Sequence, residues 1–141
     1  MTDIETTVVE QTLHIAARPE TVWEYWTDPR LMCDWWGAAA QLDARPGGTC
    51  RVEMAQGSVM RGEYLELVPY ERIVFTFGWE PGDGVPALPP GSSTVEVSLV
   101  AHEGDTILTV RHTLPADLSA LHQSGWGHYL ARLASTAAVS R

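Results

Sequence analysis

The stretch from Asp117 to Val139, DLSALHQSGWGHYLARLASTAAV, decides how this chain folds. Leu121, His122, Gly125, Trp126, Tyr129, Leu130 and Leu133 recur in it at three- and four-residue spacing, which predicts a helix with one buried face. It is the longest periodic segment in the chain. Almost everything before it carries the two-residue period of strands. A sheet of short strands must bury one face against a second layer, and this helix is the element long enough to supply it.

Immediately upstream, Thr94 to His102 and Thr106 to Leu114 read as a hairpin turning at Gly104-Asp105. That turn pairs Val97 with His112 and Leu99 with Val110. It puts Val95, Val97, Leu99, Leu108, Val110 and His112 on one face, with Glu96 and Arg111 as a diagonal charge pair on the other. Before the hairpin, Glu80 to Ser92 is too rich in Gly and Pro for regular structure, and loops of that length in compact domains are usually functional or mobile. Ile73 to Trp79 is a strand with Ile73, Phe75, Phe77 and Trp79 on one face. In the strand Ser58 to Val68, inward-facing Met60, Gly62 and Tyr64 would bring Glu66 inward too, unless a bulge intervenes.

Cys50, Val52 and Met54 alternate ahead of a turn at Gln56-Gly57, and Ala40, Leu42 and Ala44 ahead of Pro46-Gly47-Gly48. Thr6 to Ala16 reads as a first strand. Arg18-Pro19-Glu20 opens a helix with Val22, Trp23 and Trp26 as its apolar stripe, and Asp28-Pro29 starts a second short helix running to Trp36. The order is one strand, two short helices, six strands and a long helix. This is an α+β chain forming one domain over residues 1–141, with an antiparallel meander of about seven strands curling around the last helix. The helix cannot fill the whole concave side, so a cavity is expected between it, the sheet and the short helices.

Composition narrows the function. The chain has 141 residues, 45% of them hydrophobic, enough for one core. Its net charge is −9 with no basic run, which argues against nucleic acid and anionic membrane surfaces as partners. No stretch approaches the ~18 apolar residues of a membrane span. The acidic start Met1-Thr2-Asp3-Ile4-Glu5 lacks the pattern of a secretory signal, so cytoplasmic residence is expected. The chain contains neither Lys nor Asn, which rules out a lysine Schiff base. Cys33 and Cys50 show neither metal-ligand spacing nor a disulfide framework, and read as buried, reduced thiols.

Several motifs together resemble a known family. They are Val22-Trp23 with Asp28-Pro29 and Trp35-Trp36, then Arg45-Pro46-Gly47-Gly48, Gly62-x-Tyr64, Pro69-x-Glu71-Arg72-Ile73-Val74-Phe75-Thr76, Thr106, His112 and Gly125-Trp126 with Leu130 and Leu133. Their order and spacing are similar to the heat-shock-protein ATPase activator homologue-like branch of the SRPBCC superfamily, which includes START-type domains and polyketide cyclases. The resemblance runs from about Val8 to Ala137. It implies a helix-grip fold with an internal pocket for apolar or amphipathic small molecules, and it does not transfer an activity. The eukaryotic chaperone activators of that branch carry a further domain for which this length leaves no room, and their role is not carried over.

The expected pocket is walled by Val52, Met54, Phe75, Phe77, Trp79, Val97, Leu99 and Val110 from the sheet. Trp126, Tyr129 and Leu133 close it from the long helix and Trp36 from the short pair, while Tyr64 is a further polar candidate. Trp35 and Trp36 are expected to point different ways, so that at most one lines the pocket. The chain reverses between His112 and His122, so both should lie at one end of the molecule. There they would bind a ligand's polar head or move protons near neutral pH; the plainer alternative is a histidine satisfied by a backbone carbonyl or water. A zinc site would need a third ligand such as Glu80 or Asp83, and no metal is expected. Gly82-Asp83-Gly84-Val85-Pro86-Ala87 imitates a dinucleotide fingerprint, but Pro86, Pro89 and Pro90 forbid the helix that would hold the phosphates, so no cofactor is expected.

The expected function is binding of a hydrophobic small molecule, with no catalytic residue assigned and a homodimer left open. The alternatives are a small cyclase-, aromatase- or hydrolase-like enzyme, or an interaction module presenting Val85, Ala87 and Leu88 from the long loop.

Overall fold

A computed structural model describes residues 5–82 and 84–139. Its elements are β1 (Thr6–Ile15), α1 (Pro19–Thr27), α2 (Pro29–Met32), β2 (Ala39–Leu42), β3 (Thr49–Glu53), β4 (Val59–Val68), β5 (Arg72–Phe77), β6 (Ser93–His102), β7 (Asp105–Pro115) and α3 (Ser119–Val139), with a 3-10 turn at Ala116–Leu118 leading into α3. The strands form one antiparallel sheet in the order β1-β7-β6-β5-β4-β3-β2. β2 through β7 are a meander, and β1 returns to pair with β7, setting Val9 opposite His112. The long helix, the curved sheet and the two short helices together make the helix-grip arrangement.

Local chemistry accounts for the entry of the chain. Pro19 and Glu20 suit the first turn of α1, because proline has no amide hydrogen to leave unpaired and a carboxylate favours the positive end of a helix. Asp28 ends α1 and caps α2 by accepting the Arg30 amide at 2.9 Å. α2 is shorter than the pattern to Trp36 predicts, and Cys33 to Trp36 continue as turns. The chain then passes close to β3. A Cβ on Gly37 would lie 2.4 Å from Val52 Cγ1.

Two registers differ from, or refine, the sequence expectation. The β6–β7 turn is Glu103-Gly104, not Gly104-Asp105, with φ of 52° and 86°. Two consecutive positive φ values are what a tight hairpin turn of the strands' own twist requires. Val97 therefore faces Val110, Leu99 faces Leu108 and Val95 faces His112. Each partner moves by two residues, so the apolar face is unchanged. Glu96 lies directly opposite Arg111 rather than diagonally. The two do not pair: Arg111 bonds Glu10 at 2.6 Å and Arg72 bonds Glu96 at 2.5 Å. In β4 the register shifts between Tyr64 and Glu66. This bulge leaves Tyr64 buried and turns Glu66 outward, where it meets Arg72 at 3.1 Å.

α3 buries His122, Trp126, Leu130, Leu133 and Ala137, while Leu121 faces solvent. The helix lies along β1, where the Gln11 side-chain amide donates to the Gln123 carbonyl at 2.7 Å. Because α3 leans toward that side, the short helices must cover the remaining concave face. Trp26, Trp35 and Trp36 do so, and all three are buried. Trp26 sits at their centre, with ring centroids 4.7 Å from Trp35, 6.1 Å from Trp36, 6.2 Å from Trp126 and 6.4 Å from Phe75. Trp35 and Trp36 do not diverge as adjacent helical residues should; their rings stack at 5.4 Å. Such rings bury large apolar areas and gain further from edge and offset contacts.

The Gly- and Pro-rich loop is pinned. The Trp79 amide donates to the Leu88 carbonyl at 2.6 Å, and the Glu80 amide to Val59 at 2.8 Å. A Cβ on Gly78 would lie 2.1 Å from the Pro89 carbonyl oxygen, so only glycine admits the returning loop. Leu88 is 1% exposed and belongs to the core. The apolar interaction patch expected on this loop is thereby corrected, since its largest member is used internally. Replacing Leu88 with Ala should lower the unfolding free energy by about 2–5 kcal/mol in urea denaturation. Ala87→Ser, on the exposed side, should change it by less than about 0.5 kcal/mol.

Candidate functional site

β5 ends at Phe77 directly opposite Ser93, the first residue of β6. His112 on β7 lies against both, and the 3-10 turn swings α3 back so that Trp126 and His122 reach the same place. The ring centroids of His112 and His122 are 5.4 Å apart, edge to face. The reversal of the chain does bring the two histidines together, and the residues around them determine the protonation of each.

His112 is fully buried. Its Nδ1 accepts the Trp126 Nε1–H at 3.1 Å. An indole N–H can only donate, so Nδ1 is the unprotonated nitrogen and the proton sits on Nε2. Nε2–H then donates to Ser93 Oγ at 2.8 Å, and the Ser93 hydroxyl donates to the Phe77 carbonyl at 2.6 Å. His122 is the mirror case. Its Nδ1 meets the Leu118 carbonyl at 3.0 Å, which can only accept, so the proton sits on Nδ1. Its Nε2 accepts the Trp79 Nε1–H at 3.2 Å. The two imidazoles are neutral, carry opposite tautomers, and have every ring nitrogen engaged.

Burial enforces that neutrality. It pushes the His112 pKa down to about 3, with the neighbouring His122 adding to the effect. It also lowers that of His122, against a smaller opposing pull from the Leu118 carbonyl. Tyr64 is raised well above the ordinary tyrosine range, chiefly by burial. Its hydroxyl donates to the Trp26 carbonyl at 3.3 Å.

A pocket of about 580 Å³ opens beside this cluster. Its aromatic floor is Trp36, Phe77 and Trp126, and Met54, Trp79, His122 and Tyr129 complete the part expected from the sequence. Val52, Phe75, Val97, Leu99, Val110 and Leu133 are buried in the core outside its lining, as are Tyr64 and His112. Trp26 of α1 and Trp35 and Trp36 of the turns after α2 occupy the space those residues were expected to enclose, so the opening lies at one end of the fold. Its remaining wall is the β3–β4 turn (Gln56, Gly57, Ser58) with Val59 at the start of β4, the long loop (Glu80, Pro81, Gly82, Gly84, Val85, Pro86) and the helix positions Leu121 and Gly125. The long Gly/Pro loop was a visible signal for its own residues. Nothing in the sequence placed the β3–β4 turn beside it.

Glu80 is the one charged side chain lining the pocket among the described residues. Arg51 approaches its carboxylate at 3.2 Å and Arg61 at 3.7 Å, which ties the loop base to β3 and β4. Asp83, the other zinc candidate, lies outside the described residues. No group of three or more His, Cys, Asp or Glu that would hold a metal occurs among the described residues. No helix among them is long and apolar enough to cross a membrane.

The model of the family described as activator of Hsp90 ATPase homolog 1-like protein matches residues 16–138. No curated protein matches the chain. Among solved structures, an AHSA1-like protein from Rhizobium etli is 39% identical, with a TM-score of 0.75 over 95% of this chain and 83% of that one. DynU16, described as a putative protein in the dynemicin biosynthetic locus, is 25% identical with a TM-score of 0.78 over 91% of this chain. The chain spans only 46% of the length of DynU16. A protein from Chromobacterium violaceum is 26% identical, with a TM-score of 0.76 over 93% of this chain and 96% of that one.

The histidine pair generates a pH prediction. Above about pH 6.5 both histidines are neutral in the folded and the unfolded chain, and the full stability is present. As pH falls, the unfolded chain takes up protons that folded His112 refuses until about 3. The unfolding free energy should therefore fall with pH below about 6.5, by roughly 1.4 kcal/mol per pH unit for such a histidine. Ring-nitrogen NMR should show His112 neutral, with its proton on Nε2, at about pH 5. Titration near the ordinary value of about 6.5 would contradict the assignment.

Proposed function

Because this chain belongs to the activator of Hsp90 ATPase homolog 1-like family, within the SRPBCC superfamily, we propose that it binds an apolar or amphipathic small molecule in the pocket between α3, the long loop and the β3–β4 turn. The observation that carries the reading is the pocket itself. Its volume of about 580 Å³ falls within the roughly 300–1,000 Å³ of small-molecule sites, and an aromatic floor with few polar groups is their usual lining. Burial of a ligand against Trp36, Phe77 and Trp126 would supply affinity through apolar area, and the polar rim would set orientation.

Catalysis of the cyclase or hydrolase kind has one observation in its favour, His122 at the pocket wall. General acid–base work needs a nitrogen free to take or give a proton. The Leu118 carbonyl holds the His122 proton on Nδ1, so a proton taken up at Nε2 would charge the ring, and burial disfavours that charged form. Binding is therefore the reading the geometry supports best. The similarity to DynU16 covers part of that protein, and its biosynthetic setting is not transferred.

Gly125 provides the test. It lines the pocket, and a Cβ there would meet nothing within 4 Å. Gly125→Leu should fill the pocket without a clash, and the gain in helix propensity should leave thermal stability equal or higher. The neutral fluorescent probe N-phenylnaphthylamine should bind the unmodified protein saturably and quench its tryptophan emission. Binding should weaken at least about tenfold in Gly125→Leu, equivalent to roughly 1.4 kcal/mol. Equal binding by a folded Gly125→Leu variant would move the site elsewhere.

A further inference from the structure

The hydrogen bonds around His122 specify more than the shape of the pocket. The Leu118 carbonyl holds the proton on Nδ1, so Nε2 presents a lone pair and nothing else. A neutral imidazole has one acceptor nitrogen, and here the Trp79 indole occupies it at 3.2 Å. Trp79 is only partly buried and lines the pocket together with His122. The one charged group in the lining among the described residues is a carboxylate, Glu80, already matched by Arg51 and Arg61. No arginine lines the pocket among those residues.

We infer that the pocket selects a neutral ligand bearing a hydroxyl group, which inserts between the Trp79 indole and His122. This rests on the binding function proposed above and names the chemistry of the ligand. An inserted hydroxyl donates to His122 Nε2 and accepts from Trp79 Nε1–H, so both partners stay satisfied. A pure acceptor, such as an ether or a ketone, takes the indole hydrogen but leaves the buried Nε2 lone pair unmatched, which is costly. A carboxylate fails twice. Its oxygens face that lone pair, and among the described residues no cation in the lining offsets its loss of water. Protonating His122 to receive it would expel the Trp79 N–H and charge a buried ring.

Three probes of similar aromatic body separate these cases: naphthol, methoxynaphthalene and naphthoate, titrated calorimetrically into the full chain at neutral pH. Naphthol should bind at least about tenfold more tightly than methoxynaphthalene, or roughly 1.4 kcal/mol, and naphthoate should bind weakest. Naphthol should shift the Trp79 indole N–H resonance, while the His122 proton stays on Nδ1. In His122→Phe, which removes the acceptor, the advantage of naphthol over methoxynaphthalene should vanish. In Trp79→Phe, which frees Nε2, naphthol affinity should rise relative to methoxynaphthalene. The second variant keeps the test decisive if the first fails to fold.

Equal binding of all three probes overturns the hydroxyl selection while leaving the pocket as a binding site. Tightest binding by naphthoate overturns it outright. Failure of all three, and of N-phenylnaphthylamine, removes the binding function on which the inference rests.

Discussion

Two indole N–H groups end on the lone pairs of two buried imidazoles, and much of the architecture follows from that pairing. Trp126 donates across from α3 to His112 on β7, fixing the long helix to the sheet by a directed bond as well as by packing. Trp79 donates from the end of β5 to His122 on α3, drawing the base of the long loop onto the same helix. A buried imidazole and a buried indole are each expensive without a partner, so each makes the other tolerable. Burial then keeps both rings neutral, which preserves the lone pairs that the indoles need. Tautomer, charge and helix placement support one another.

The second organising constraint is volume. A sheet of this curvature leaves more concave space than a helix lying along β1 can occupy. Trp26, Trp35 and Trp36, delivered by α1 and the turns after α2, fill the excess near the middle of the sheet. What remains is pushed to the end where β5 meets the long loop. The loop closes that end because Gly78 admits the Pro89 carbonyl and Leu88 is drawn into the core. The pocket is thus a boundary between a filled interior and a tethered loop. The end of β5 and α3 each contribute to both its apolar floor and its polar rim, Phe77 with Trp79 and Trp126 with His122.

Much of this was legible in the residues. The α3 periodicity, the seven strands and the two short helices follow from local patterns; the conflict between Tyr64 and Glu66 left either an inward Glu66 or a bulge, and the bulge is what forms. The hairpin turn was misplaced by one residue because Gly104 reads equally well at either central position; the positive φ of Glu103 settles it. Of the expected pocket residues, Trp36, Met54, Phe77, Trp79, His122, Trp126 and Tyr129 line the opening. Val52, Phe75, Val97, Leu99, Val110 and Leu133 share the same inward periodicity but are core. Alternation tells which side of a sheet a residue faces. It does not tell whether another side chain is already there.

By itself, the sequence determined element types, their order, the inward face of each strand and the meeting of His112 with His122, because these depend on short-range periodicity and chain reversal. Tertiary structure alone decided which nitrogen of each histidine holds its proton. That choice belongs to the Trp126 indole across the helix–sheet interface for His112, and for His122 to the Trp79 indole, far away in the chain, acting together with the Leu118 carbonyl one helical turn back. It also decided where space was left, since the volume of a cavity is a difference between a sheet's curvature and the side chains brought in from elsewhere. The long helix reads in the sequence as the layer that covers the sheet. In three dimensions its His122 also sets, with Trp79, the hydrogen-bond polarity of the pocket, because a lone pair has direction only once its neighbours are fixed.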